Sequence, residues 1–255
     1  MDENPSPVTP EGWATLLKAN WEKRGRSDSR DFYVASHLGW NDTEAWQRQA
    51  KIDTEILLYE LTDDWLSSAE VLEIGCGVGR LAPWLLERAA SYTGLDIASA
   101  MVEEARQRVQ EGERARFFVS DGLGVPDPAR DREYDLIVAM AVFIHCPRDL
   151  VERLVRDATS LLRKGGRLRF QLLADASDPT GVTAPAEAAA EQNEALAVQG
   201  KEVAMSEDME LITDHYYMGH AFGFDEAREL FETMDGELRL LRFDLGHIYG
   251  EIVKT

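Results

Sequence analysis

The chain has 255 residues and a formal net charge of −20, from 27 Lys and Arg against 47 Asp and Glu. The acidic residues run along its whole length with no Lys/Arg-rich stripe to offset them, which excludes nucleic acid as the expected partner. No apolar run approaches the roughly 20 residues of a membrane span, the opening MDENPSPVTPEG is unlike a targeting segment, and Cys76 and Cys146 supply neither a disulfide framework nor zinc spacing, so a reduced cytoplasmic protein without a membrane partner is expected.

Residues 1 to about 10 are expected to form a mobile tail. Over 11–23, Trp13, Leu16, Leu17 and Trp21 recur at helical spacing, and a Gly-Arg-Ser-Asp-Ser break follows at 25–29. A second helix is expected from 41 or 42 to about 66, capped by Asp42 or Thr43, with Ile52, Ile56 and Leu57 on its buried side. Between the two lies an aromatic-rich segment, 31–40, suited either to the core or to roofing a ligand pocket.

Val71, Leu72 and Ile74 then form a short apolar run that stops at Gly75-Cys76-Gly77-Val78-Gly79, and Leu81, Leu85 and Leu86 continue at helical spacing. Strand, glycine turn and helix leave free backbone N–H groups facing a ligand, and the glycines admit close approach and positive φ. The next apolar run, 92–95, ends in Asp96, which places a carboxylate at a strand tip where a ribose is held in open α/β sheets. A nucleoside-containing ligand follows. The dinucleotide fingerprint is not met, because its third small residue falls on Arg80 and the glycine comes one residue early, at Gly79.

Further on, Met101, Ala105 and Val109 mark a helix, 116–119 a strand, and 134–140 a nearly continuous apolar strand buried on both faces. An amphipathic helix from Leu150 to Leu162 stops at Gly165-Gly166 and a fifth strand covers 168–173. The pattern lapses over 175–222, a length that marks a functional or disordered segment. A helix over 224–234 and two strands, 238–243 and 247–253, close the chain as a hairpin, so one of these strands is antiparallel to the rest. The alternation specifies a doubly wound, mostly parallel sheet.

Taken together, Glu73-Ile-Gly-Cys-Gly-Val-Gly79, Thr93-Gly-Leu-Asp96, Phe117-Phe-Val-Ser-Asp121-Gly122, Tyr134-Asp-Leu-Ile-Val138 and Leu162-Arg-Lys-Gly-Gly166 resemble, in order, the motifs of class I S-adenosylmethionine-dependent methyltransferases. The resemblance covers about 68–174 and 222–255. It implies an α/β fold with a Rossmann-like seven-stranded sheet and a C-terminal antiparallel hairpin. The expected domains are a tail and helical cap over 1–67 and a cofactor-binding domain over 68–255, with 175–222 as a lid-like insertion.

The resemblance also implies roles. Amides around Gly75, Cys76, Gly77 and Gly79 would meet the methionine carboxylate of S-adenosylmethionine, and Glu73 would face its methionine end. Asp96 would accept from both ribose hydroxyls, Ile97 would cover a ring face, and Asp121 and Gly122 would lie against the adenine. Ala139 or Met140 would offer a carbonyl to the ammonium. In-line methyl transfer needs a base only when the acceptor must lose a proton. His145, just beyond the fourth strand, is the leading candidate, with His215 and Tyr216 (and His220 beyond them) as rivals. A metal at Asp214, His215 and His220 is disfavoured by their spacing. The expected reaction is methylation of a small-molecule acceptor at O, N or C. The alternatives are a protein of this fold that binds the cofactor without transferring methyl, and a protein methyltransferase.

Overall fold

The computed structural model describes residues 9–35, 41–182, 219–243 and 245–255. Seven strands form one sheet in the order β3-β2-β1-β4-β5-β7-β6. They are β1 (Glu70–Ile74), β2 (Ser91–Asp96), β3 (Ala115–Val119), β4 (Tyr134–Ala139), β5 (Leu162–Leu173), β6 (Glu237–Leu241) and β7 (His247–Val253). β1 lies between β2 and β4 and parallel to both, with Leu72 opposite both Thr93 and Ile137. β7 is the reversed strand, antiparallel to β5 and to β6. The expected sheet is therefore present, and the fully buried Leu136, Ile137, Val138 and Ala139 show why β4 reads as continuous hydrophobicity.

The helices are α1 (Pro10–Gly25), α2 (Arg30–Val34), α3 (Thr43–Leu58), α4 (Asp63–Leu66), α5 (Ala82–Leu86), α6 (Ser99–Arg108), α7 (Arg148–Ser160) and α8 (Phe224–Phe231). They cover both faces of the sheet. One apolar core joins α7 and α8 to β5 and β7 through Leu150, Val151, Phe170 and Phe231. The other joins α3, α5 and α6 to β1 and β4 through Leu57, Leu85, Ala105 and Val138.

α1 begins earlier than expected, because the Thr9 hydroxyl accepts from the Gly12 N–H at 3.2 Å and Pro10 occupies the first turn. It crosses the C-terminal end of the sheet, tied to α6 by Glu22, whose carboxylate accepts from the Ser99 N–H at 2.7 Å and hydroxyl at 2.8 Å. At its other end Arg153 of α7 donates to Glu11 at 2.9 Å.

The single helix expected over 42–66 is instead two. Asp42 caps α3 as foreseen, accepting from Ala45 N at 2.9 Å, but Tyr59 is extended and Glu60 has φ +63°. Arg169 of β5 holds this break by donating to the carbonyls of Leu57 at 2.8 Å and Tyr59 at 2.7 Å, groups a helix end leaves without partners. Thr62 then caps α4. The buried side of α3 is Trp46, Ala50, Thr54, Leu57 and Leu58. Ile52 and Ile56, expected inside, are 48% and 37% exposed.

Two more boundaries move. β5 starts at Leu162 and runs through Gly165-Gly166, with a register shift against β4. The glycine loop does not enter a helix at once, because α5 begins only at Ala82.

Of the 175–222 insertion, only its two ends are described. They leave and return side by side: Asp175 N donates to Phe222 O at 2.8 Å and Phe222 N to Leu173 O at 2.9 Å. The fully buried Arg242 anchors the outgoing end by donating to the carbonyls of Asp175, Asp178 and Thr180.

Candidate active site

The glycine loop wraps the tip of β2. Gly75, Gly77 and Gly79 all have positive φ, at +73°, +52° and +77°, a path that residues with a Cβ follow only under strain. This path turns the Gly77 N–H onto Asp96 Oδ2 at 2.9 Å, while Ala98 N donates to Asp96 Oδ1 at 2.8 Å. The Asp96 carboxyl is buried, and burial raises its pKa to about 6 against the opposing pull of these amides. Asp96 lines a cavity of about 120 Å³ with Gly75, Gly77, Ile97, Ser120, Gly122, Met140 and His145.

Not every expected residue reaches that wall. Glu73 is buried beneath the loop, where Tyr92 Oη donates to its carboxylate at 2.5 Å. Desolvation raises its pKa to about 7. Cys76 packs inside with Leu81 and Phe117, and its N–H is taken by Leu95 O at 2.8 Å. Gly79 N donates to Cys76 O at 2.9 Å, so three amides of the expected carboxylate cradle already have protein partners. Asp121 is exposed and caps its own turn, accepting from Leu123 N at 2.8 Å, while its neighbour Ser120 accepts from Gly122 N at 3.0 Å and faces the cavity. Ala139 is fully buried in β4.

His145 does line the cavity, 8% exposed and set edge-on to Trp21 of α1 with ring centroids 5.3 Å apart. His215 and Tyr216 lie outside the described residues. His220, which ends the insertion, points elsewhere: its Nε2 meets Glu226 at 2.9 Å and its ring stacks edge-on against Phe222. Its backbone nonetheless runs beside the site, with Gly219 N donating to Ile144 O at 2.7 Å and His220 N to Cys146 O at 3.0 Å. No cluster of His, Cys, Asp and Glu suited to a metal exists among the described residues.

The comparisons with known proteins find methyltransferases among the chain's relatives. Residues 71–166 match the family model of a methyltransferase domain. The methyltransferase GfsG of Streptomyces halstedii is 38% identical over 116 residues, 44% of this chain and 40% of that protein. A malonyl-[acyl-carrier protein] O-methyltransferase of Geobacter sulfurreducens is 29% identical over 150 residues, 58% of this chain and 55% of that protein. The aligned chain thus spans about half the length of these relatives. Among solved structures, the fold resembles magnesium protoporphyrin IX methyltransferase of Synechocystis with bound SAH. The TM-score is 0.62 at 16% identity, covering 95% of this chain and all of that one. It also resembles a DhpI-SAH complex, with a TM-score of 0.60 at 17% identity over 95% and 97% of the two chains.

Residues 71–166 thus resemble a methyltransferase domain.

The cavity has a roof that the sequence motifs do not announce. A Cβ placed on Gly77 would stand 3.2 Å from Val34 of α2, and one on Gly75 only 2.2 Å from Val142. Val34, Trp21 and Leu17 close the cavity from the N-terminal side, and Arg24 stacks on Trp21 at 4.8 Å and on Tyr33 at 5.6 Å to fix that roof. Of the segment 31–40 only 31–35 is described: Phe32 is buried in the core, and the residue over the glycine loop is Val34 rather than an aromatic ring.

A second residue outside the motifs is Gln171 of β5, whose Oε1 accepts from Ala141 N at 3.1 Å and whose Nε2 donates to Tyr249 Oη at 3.2 Å. Ala141 lines the cavity with φ +57°, so Gln171 secures a strained turn at the site. Its one signal in the sequence is a lone amide in the otherwise apolar end of β5, Phe170-Gln171-Leu172-Leu173.

Proposed function

We propose that the protein transfers the methyl group of S-adenosylmethionine to an O, N or C atom of a small-molecule acceptor. The observation that carries this reading is Asp96: a buried carboxylate at a strand tip, oriented by two backbone amides and lining a cavity walled by the glycine loop. The residues present fit the cofactor. Gly77 N donates to one carboxylate oxygen and Ala98 N to the other, and each retains acceptor capacity for a ribose hydroxyl. Ile97, Leu150, Leu154 and Val125 give apolar surface beside Ser120 and Gly122 for a flat base, and Met140 lies toward the glycine loop for the amino-acid end.

The bound sulfonium supplies an activated methyl group, and the protein's part is to align, exclude water and accept a proton where the acceptor carries one. His145 is proposed as that base, since it lines the same cavity and an imidazole nitrogen can take up a proton. His215 and Tyr216 stay as proposed contributors from the insertion. So do Glu73, Cys76, Asp121 and Ala139 as cofactor-site residues, the first two acting from behind the loop. Residues 1–67 are proposed as a cap and 175–222 as a lid, supported by α1 over the sheet end and by Gly219 and His220 beside His145.

A small-molecule acceptor agrees with relatives such as malonyl-[acyl-carrier protein] O-methyltransferase, and the charge of −20 favours partners other than nucleic acid. A cytoplasmic location is proposed on the same composition; no helix of the described residues is long and apolar enough to cross a membrane. The test is calorimetry with S-adenosylmethionine and S-adenosylhomocysteine, followed by incubation with metabolite pools and assay for the demethylated product. Absence of binding refutes the reading. Binding without product in any pool favours a non-transferring protein of the same fold.

A further inference from the structure

The side of α3 that fails to face the core faces something else. Ile52, Ile56 and Tyr59 confront Leu241, Phe243 and Tyr249 across an open groove of about 620 Å³ between the helix and the β6–β7 edge of the sheet. Of the five large hydrophobic residues exposed among the described residues, four are here: Ile52, Ile56, Tyr59 and Phe243, from 37% to 57% exposed. Single exposed hydrophobics need no explanation, but a contiguous set does. The volume lies within the range of small-molecule sites, and the walls are apolar, as in such sites.

The rim is basic in a chain that is otherwise strongly acidic. Arg48, Lys51, Arg169 and Arg239 line the groove against Glu55 and Glu251. Arg169 is committed to Glu251 at 2.7 Å and Arg239 to Glu60 at 2.6 Å. Arg48 and Lys51 make no ion pair with the described residues, Lys51 resting over the Trp84 ring at 5.4 Å. Residues 48, 51, 52, 55 and 56 fall on one face of α3, so two uncommitted cations stand directly beside the exposed isoleucines.

We propose that this groove is a second binding site, for an amphipathic anion: a carboxylate on an unbranched apolar body. The carboxylate meets Arg48 and Lys51, and the apolar body lies between Ile52 and Ile56 on one side and Leu241, Phe243 and Tyr249 on the other. Charge complementarity decides the class. A neutral apolar ligand leaves the two cations without a role, and an amphipathic cation meets them unfavourably. The site is distinct from the cavity at Asp96, with which it shares no lining residue, and it does not depend on the methyl-transfer reading.

The test uses the whole chain and dodecanoate below its micellar concentration, titrated by calorimetry with dodecyltrimethylammonium as the matched cation. Dodecanoate is expected to bind and the cation to bind at least roughly 10-fold more weakly. Ile56→Asp removes dodecanoate binding. Arg48→Glu combined with Lys51→Glu weakens it roughly 10-fold or more. All three positions are on the helix surface, and unchanged circular dichroism confirms that the variants fold. The proposal is overturned if dodecanoate does not bind, if both amphiphiles bind alike, or if folded variants bind as the parent does. Competition by S-adenosylhomocysteine places the ligand in the other cavity and overturns it too. So does a dimer that Ile56→Asp dissociates, which makes a second copy the occupant.

Discussion

Replacing Glu73 by glutamine tests whether this residue is a buried burden beneath the glycine loop. Glu73 is 3% exposed and its pKa rises from 4.5 to about 7, chiefly through desolvation, with the Tyr92 hydroxyl opposing. A carboxyl with a raised folded pKa keeps a proton that the unfolded chain releases. Its contribution to stability is therefore complete below pH 4.5 and is lost as pH rises to about 7. At about 1.36 kcal/mol per pKa unit, that loss is about 3 kcal/mol. Glutamine keeps the acceptor for Tyr92 Oη and has no charge to bury. Its own amide N–H groups carry a cost that does not vary with pH. The stability difference between Glu73→Gln and the parent should therefore shift in favour of the variant by about 2–3 kcal/mol between pH 5 and pH 8, read by urea unfolding at each pH. Asp96 titrates nearby but is present in both proteins, so it largely cancels. A difference that stays constant between the two pH values refutes the reasoning, whatever its sign.

Asp96→Ala should weaken S-adenosylmethionine binding by about 1.5–3 kcal/mol in calorimetry. Affinity of the parent should fall as pH drops through about 6, where the carboxylate takes up a proton; binding indifferent to both would place the ribose elsewhere. His145→Ala should cut turnover roughly 10²-fold with little change in affinity for S-adenosylhomocysteine, measured by product release and calorimetry. Gln171→Leu, which frees the Ala141 N–H, should raise KM for the cofactor more than it lowers kcat, and Gln171→Glu, which retains an acceptor, should restore most of the loss. Amide exchange in α1 and α2 should slow when S-adenosylhomocysteine binds; identical exchange in both states would show that the roof does not engage the ligand.

The sheet was legible because its central strands are buried on both faces and their sequences are correspondingly apolar, as in 134–139 and 71–74. Asp96 was legible because strand end, glycine spacing and carboxylate are all local. What escaped detection depends on distant partners. The break at Tyr59 is held by Arg169, more than a hundred residues away in sequence. The outward turn of Ile52 and Ile56 follows from which side of α3 reaches α5 and the glycine loop, where Arg80 pairs with Asp53 at 2.7 Å. That same arginine occupies the position at which the dinucleotide fingerprint requires a small residue. A residue that looked like a missing glycine is instead a buried strut between α3 and the end of the glycine loop.

The two ends of the cavity differ in how far they are prepared for a ligand. At the β2 tip, the path of the glycine loop and the start of α6 fix the Asp96 carboxylate with two amides, so little ordering of that side chain would remain on binding a ligand. At the glycine loop, Val34 and Val142 rest where added atoms would stand, and the cavity is smaller than the few hundred Å³ usual for ligands of this size. Filling that end requires the side chains of α2 and of the turn after β4 to withdraw. The first of these belongs to the roof, and the second is joined through Ala141 to Gln171. Asp96 thus acts as the fixed point of the cavity, and adjustment falls on the roof and the β4 turn, the two elements that also carry Trp21 and His145.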